Sequence, residues 1–359
     1  MFKNKTNLII LFFCVVKLTL HLIGDYNSGY QGDELLHIET GNHPAFGYME
    51  FPPMIGWLAY IQNLFHSQSV FVNHIFAHIA SLLIFILVAK TTLQLGGGNK
   101  ALFIVLLCML TAPAFGRSQQ LFQPVVFSQL FWILSFYQLV RFCKTLDEKY
   151  LLYLTLACAF GFLTKYDILF FIAGLSSLLL FAQTRKIVLS KSILKYIFLF
   201  LVIVTPNLVW QYQHQFPALQ MFSRLYETQL DKLSVSSVLT QLIISLNPFT
   251  AILWFAGGVY MFNGKHKILY RPIATSIILS IFFLAFSKSK AYYFYPAIIC
   301  LLIFGCIWFE QKVLSFRKWI FYPATALLLA SGIILIPYGL AVLPLNSFIK
   351  FAHIKNKHG

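Results

Sequence analysis

Hydrophobic positions in this chain come in long runs rather than in an alternating or one-faced pattern. Stretches at about 8–23, 70–89, 101–116, 121–140, 150–164, 167–183, 194–210, 238–262, 272–287, 292–309 and 320–342 are apolar almost throughout, and polar residues collect in the gaps between them. About 20 apolar residues in helical form cross the hydrocarbon core of a bilayer. A helix also satisfies its backbone polar groups without water. The pattern predicts an all-α integral membrane protein: a bundle of about 11 transmembrane helices forming one domain over residues 1–359. There is no internal repeat, low-complexity tract or separate soluble domain.

Composition sharpens this. The chain is 59% hydrophobic and only 11% charged, with a mean hydropathy of +0.75, whereas soluble domains carry about 25% charged residues. The net charge of +16 does not indicate nucleic acid. Most Lys and Arg sit in short gaps between apolar runs, as topology signals do. With Lys3 and Lys5 placed in the cytoplasm, every second gap is basic: Lys90 and Lys100; Arg141, Lys144 and Lys149; Arg185, Lys186, Lys191 and Lys195; Lys265, Lys267 and Arg271; Lys312, Arg317 and Lys318. The N-terminus resembles a signal peptide but lacks a small-x-small cleavage site, so it reads as a retained first span. The six cysteines lie in or beside apolar runs with no CxxC pair, which argues against a zinc finger or disulfide framework.

The acids fall the other way. Asp25, Asp33, Glu34, Glu39 and Glu50 crowd the first outer loop, about 24–69, and Asp167, Glu227 and Asp231 lie at other outer positions. Acids contribute little to topology, and long loops are usually functional or disordered. This loop contains Gly47, Tyr48, Pro52, Pro53, Trp57 and Tyr60, which suggests order, and Met54 to Phe65 reads as a short interfacial helix. A second outer loop, about 211–237, carries Trp210 at its edge, His214, Phe216, Pro217 and Arg224.

The sharpest constellation is Gly32-Asp33-Glu34-Leu35 followed by Gly47-Tyr48-Met49-Glu50-Phe51-Pro52-Pro53. Acids at an outer membrane face can serve as a general base or hold a metal. Three later segments accompany it: Gly161-Phe162-Leu163-Thr164-Lys165-Tyr166, then Trp210-Gln211-x-x-His214-x-Phe216-Pro217, then Tyr292-Tyr293-x-Tyr295-Pro296. In order and spacing these resemble the GT-C glycosyltransferases. The narrower resemblance is to the branch holding the dolichyl-phosphate-mannose:protein mannosyltransferases and the bacterial lipid A aminoarabinose transferases.

The resemblance implies an inverting transferase of the extracytoplasmic face, in a bacterial inner membrane, that takes a hexosyl or pentosyl group from a polyprenyl-phosphate donor. The acceptor would be lipid A, another glycan, a teichoic-type polymer or protein. Asp33, with Glu34 beside it, would act at the acceptor hydroxyl. Outer basic residues that run against the positive-inside trend would meet the donor phosphate: Lys165 first, then Arg117, Arg224, Lys290 and Lys288. Tyr48, Pro52, Pro53, Trp210 and Tyr292 would shape the substrate loop. Glu50 is linked to a metal in the aminoarabinose transferases, and His214 would join it at a divalent ion. Two departures stand out. Phe51 replaces a lysine of those enzymes. The stretch Gln119-Gln120-Leu121-Phe122-Gln123-Pro124 lacks an acid that many relatives carry. Rival readings are a transporter or flippase of lipid-linked sugars, which tends to show repeats and charges near the midplane whereas here the acids sit in an outer loop and no repeat is visible, and a non-catalytic polyprenyl-lipid-binding relative. His37 and His43 are weaker candidates. His74 and His78, four apart on one helix face, favour packing because no carboxylate partner is visible. Lys17, inside the first span, reads equally as functional or snorkelling.

Overall fold

The computed structural model describes residues 2–263 and 267–352; Lys265 of the expected inner set lies outside them. The described residues are helical with short connections and contain no strand. In chain order the first elements are α1 (Phe2–Asn27), α2 (Gly32–Glu39), α3 (Met54–Asn63), α4 (Val70–Asn73), α5 (Ile75–Gln94), α6 (Asn99–Thr111), α7 (Pro113–Gln120), α8 (Pro124–Thr145), α9 (Lys149–Thr164) and α10 (Ile168–Gly174). Among the described residues seven helices are long and apolar enough to cross a membrane, or up to ten if each bent pair counts as one span. The chain is a multi-pass integral membrane protein.

Three expected spans are broken rather than straight, and two of the breaks fall at a proline or a polar residue. The 101–116 run divides into α6 and α7 with a bend of 73°. Pro113 opens α7, where its missing N–H costs nothing. The 167–183 run bends by 115° between Ile168–Leu180 and Ala182–Val188. The 238–262 run is two helices at 106°, Val235–Ser245 and Pro248–Asn263. At that last break Asn247 takes a positive φ of 68°, its side-chain oxygen accepts from Phe249 N (3.3 Å), and its amide donates to Ser331 (2.9 Å).

Lys17 resolves as neither snorkelling nor cavity-facing. It is 1% exposed, and its ammonium donates to the Phe115 carbonyl at 3.0 Å. A charge buried at this depth needs such a partner, and the bond pins α7 to α1. Close helix contact appears again between Pro248–Asn263 and Tyr295–Trp308. A Cβ on Gly305 would stand 1.9 Å from the Leu253 carbonyl, and one on Gly257 would stand 2.0 Å from that of Leu301. Small residues let backbones approach in this way.

Contacts between the gaps sort into two sets. Lys144 donates to the Gln94 carbonyl (3.1 Å), Lys195 pairs with Glu148 (3.0 Å), and Glu310 accepts from Gly98 N (2.5 Å) and Lys100 N (3.0 Å). All of these join gaps expected on the inner side. Tyr30 with Gln68 (2.8 Å), Asn207 with Phe46 (2.7 Å) and Lys288 with Asp231 (2.5 Å) join gaps expected on the outer side. None of these contacts crosses between the sets.

Candidate active site

Helix α2 turns two adjacent acids in opposite directions. Glu34 is fully buried. Its carboxylate accepts from Gln31 N (2.8 Å) at the helix N-terminus and from Phe122 N (2.7 Å), and it lies 2.7 Å from His74 Nε2. Burial alone would raise its pKa, but these contacts hold it below the usual glutamate value. Asp33 is exposed and lines a cavity of about 1540 Å³. His37, one turn on, lines the same cavity and is buried; burial pushes its imidazole down to about 4, against the opposing charges of Asp33 and Glu34. The expected catalytic pair is therefore split: Asp33 faces open space, and Glu34 braces the loop.

The Gly-Tyr-x-x-x-Pro-Pro segment forms the rim. Tyr48 N donates to the Phe51 carbonyl (3.0 Å), and the Tyr48 hydroxyl turns back onto the loop at the His43 carbonyl (3.0 Å). Phe51 is buried against the His37 ring. Glu50 and Pro52 line the cavity, while Pro53 caps α3. The helix Ile193–Gln213 clamps this loop. Asn207 donates to the Phe46 carbonyl (2.7 Å), and Tyr166 donates to Asn207 (3.0 Å). Trp210 packs so close to Gly47 that a Cβ there would stand 2.5 Å from its ring. Trp210 and Tyr48 thus shape the loop from behind rather than lining the cavity.

Three of the expected cations face the cavity: Arg117 from α7, Lys165 from the turn between α9 and α10, and Lys290 from the turn before Tyr295–Trp308. Lys165 Nζ lies 3.7 Å from the Tyr293 ring centroid and 4.6 Å from that of Tyr292. Burial, and then the neighbouring charge of Lys165, push the Lys290 pKa down. Lys290 Nζ also donates to Gln229 Oε1 (2.5 Å). Arg224 does not join them. It is exposed, and its helix, Pro217–Leu225, turns Met221, Phe222 and Leu225 to the cavity instead. Lys288 pairs with Asp231.

Sequence reasoning gave Asp167 no role, yet it lines the cavity with Asp33 and Glu50. It is 6% exposed, accepts from Ser128 Oγ at 2.8 Å and stands 3.6 Å from Lys165 Nζ. Burial raises its pKa, with Lys165 and Ser128 opposing. Its position two residues after Lys165, in an outer turn, was the available signal. Gln123 also lines the cavity, and its amide donates to Gln31 at the start of α2.

The residues present do not make a metal site of Glu50 and His214. His214 Nδ1 is engaged by the Trp210 carbonyl (2.7 Å), its ring stacks on Trp210 at 4.0 Å, and it does not line the cavity. Among the described residues no third metal-ligating side chain joins the pair; such a group of three forms instead from Asp25, His74 and His78. The reading of His74 and His78 as mere packing is thereby corrected. Their carboxylate partner is Asp25, at 2.8 Å from His74 Nδ1 and 2.7 Å from His78 Nε2. Asp25 sits 49 residues from His74 in sequence, so helix spacing alone could not reveal it. Burial would lower the His74 pKa, but contacts with Asp25 and Glu34 outweigh it and hold it up at about 9.

Comparison with known proteins agrees with this architecture. Residues 50–210 match the family described as dolichyl-phosphate-mannose-protein mannosyltransferase. The fold is similar to that of ArnT from Cupriavidus metallidurans in the apo state (TM-score 0.64) and bound to undecaprenyl phosphate (TM-score 0.63). In each case the identity is 15%, over 95% of this chain and 75% of the other. No curated protein matches the sequence significantly. The chain shares the all-α membrane fold of these structures.

Proposed function

We propose that this protein is a GT-C glycosyltransferase that moves a sugar from a polyprenyl-phosphate donor to an acceptor hydroxyl at the extracytoplasmic face of a bacterial inner membrane. The observation that carries this is one cavity lined by an unpaired carboxylate, Asp33, facing Arg117, Lys165 and Lys290, with apolar walls from Leu169, Phe170, Ile334 and Leu335. The match to a mannosyltransferase family and the likeness to an undecaprenyl-phosphate-bound enzyme support it.

The chemistry follows from the charges. Asp33 accepts the proton of the acceptor hydroxyl, or orients it, as that oxygen attacks the anomeric carbon. A single displacement inverts the configuration there. The leaving group is a lipid phosphate, already a stable anion, so catalysis rests on stabilising the charge that grows on it. Lys165 and Lys290 supply that, with Arg117 of α7 lining the same cavity. The tail lies along the apolar wall toward the bilayer, and Glu34 positions Asp33 without touching substrate. The acceptor would be lipid A, another glycan, a teichoic-type polymer or protein, each of which offers the hydroxyl this arrangement needs.

The test is turnover by purified protein supplied with synthetic polyprenyl-phosphate sugars. Comparison of envelope lipids, glycans and glycoproteins from cells with and without the gene identifies the acceptor. Release of polyprenyl phosphate that depends on Asp33 is expected. Donor uptake or flipping without cleavage would favour the transporter reading. Binding without cleavage would favour a lipid-binding relative. Impermeant labelling of single cysteines checks the face: Asp33→Cys and Lys165→Cys should react from outside, and Lys144→Cys only after the membrane is opened.

A further inference from the structure

We propose that Asp25, His74 and His78 form a binding site for a zinc-type divalent ion, separate from the cavity, that locks the first outer loop to the first span. The three residues are 7%, 0% and 3% exposed. They come from three elements: the end of α1, the junction of α4 and α5, and the first turn of α5. Their ligand atoms, one from each residue, all lie within 4.8 Å of one another. Two imidazoles and a carboxylate suit zinc, which takes nitrogen and oxygen ligands at about 2.0–2.2 Å in tetrahedral sites. The nitrogens now sit 2.7 and 2.8 Å from the carboxylate oxygens, a hydrogen-bond spacing. Opening it by about half an ångström seats the ion, a change that rotation of the imidazoles supplies.

A second observation points the same way. Metal-bound histidines commonly give their other ring nitrogen to a carboxylate or another polar group. His74 Nε2 lies 2.7 Å from Glu34 Oε1, and His78 Nδ1 lies 3.3 Å from His21 Nδ1. His21 is 1% exposed, and its Nε2 is buried without a hydrogen-bond partner. Gln120 closes a further side, with its amide 2.7 Å from Asp25 Oδ1; turned over, that amide offers its oxygen as fourth ligand. An ion here joins α1, α5 and, through Glu34, the helix that bears Asp33. Its role is structural, and it does not depend on what the chain transfers.

The test is metal analysis of the purified full-length protein by mass spectrometry after zinc loading and removal of loosely held metal. About one zinc per chain is expected. It should be lost in Asp25→Asn and His78→Ala and retained in Glu50→Ala/His214→Ala. Because a core variant can fail to fold, the wild-type protein supplies an independent readout: zinc should raise its unfolding midpoint relative to chelator-treated protein, as a ligand of the native state does. No retained zinc together with no shift in midpoint overturns the site. So does zinc that leaves with Glu50 and His214 while Asp25 and His78 are intact.

Discussion

Two regions on either side of helix α2 use the same residue types to opposite effect. In the buried network, Asp25 and Glu34 meet His74 and His78 at 2.7–2.8 Å, and Gln120 and two backbone amides complete the shell. In the cavity, Asp33 has its nearest hydrogen-bond contact at 3.5 Å, from Gln31, while Lys165 and Lys290 crowd one another. The first region pairs its charges with one another, and they hold structure. The second leaves charges unmatched around open space, which a substrate can complete. Asp33 and Glu34 are neighbours in sequence and fall on either side of this divide. Side-chain direction, not residue type, separates catalysis from support.

The comparison breaks most sharply at Asp33. Asp33→Asn keeps the shape and deletes the proton acceptor. Loss of a general base costs about 100- to 10,000-fold in rate. Because Asp33 is exposed, folding and donor binding should stay near wild type. Near-normal turnover would remove Asp33 from the mechanism.

Glu34→Gln should reverse that signature. Removing one member of a buried charge pair costs about 3–5 kcal/mol of stability, because His74 keeps its need for a partner and an amide nitrogen meets the Phe122 N–H. Lower yield and a lower unfolding midpoint are expected, with activity falling only in proportion to folded protein. Unchanged stability combined with lost turnover would return Glu34 to the catalytic pair.

How much of this was legible beforehand follows the range of each interaction. Spans depend on local apolar content, so each expected run lands on one or more apolar helices; bends hinge on Asn247 or Pro113, whose effect depends on what they pack against. Asp33, Lys165 and Lys290 stood out as charges on the wrong side of a charge asymmetry, or within a motif. Asp25, His74 and Asn207 did not, because their partners lie in other helices far along the chain. Arg224 had the right charge and loop, but its helix turns Met221, Phe222 and Leu225 to the cavity and leaves Arg224 off it.

Lys165→Met sharpens the cavity side of the comparison. It keeps the apolar stem against Tyr292 and Tyr293 and deletes the charge. Hydrogen bonds to charged groups contribute about 1.5–3 kcal/mol, so turnover should fall roughly 10- to 150-fold. Donor affinity should fall less, since phosphate charge grows as the glycosidic bond breaks. Lys165→Arg should keep partial activity. No change in either quantity would make Lys165 an interfacial anchor and pass its role to Lys290 or Arg117.

The smallest expected effect, at Asp167, distinguishes a cavity charge that helps from one that competes. Its carboxylate stands 3.6 Å from Lys165 Nζ, so an incoming phosphate must share that lysine with it. Burial raises the Asp167 pKa, which favours the neutral form more than in water. As pH falls through that raised value the carboxyl takes a proton, the repulsion fades, and polyprenyl phosphate should bind more tightly. The phosphate gains its own second proton near pH 6 and loses charge, which works the other way, so the wild-type profile alone is ambiguous. Asp167→Asn isolates the carboxyl: it keeps an acceptor for Ser128 but cannot ionise. It should bind polyprenyl phosphate a few-fold more tightly than wild type at high pH, by about 1 kcal/mol for one screened charge, and the two proteins should converge as pH falls. Calorimetric titration with a short-chain polyprenyl phosphate across pH 5–8 reads both. A constant ratio of affinities across that range, or weaker binding by the variant at high pH, would show that Asp167 supports the phosphate site through structure rather than competing for Lys165.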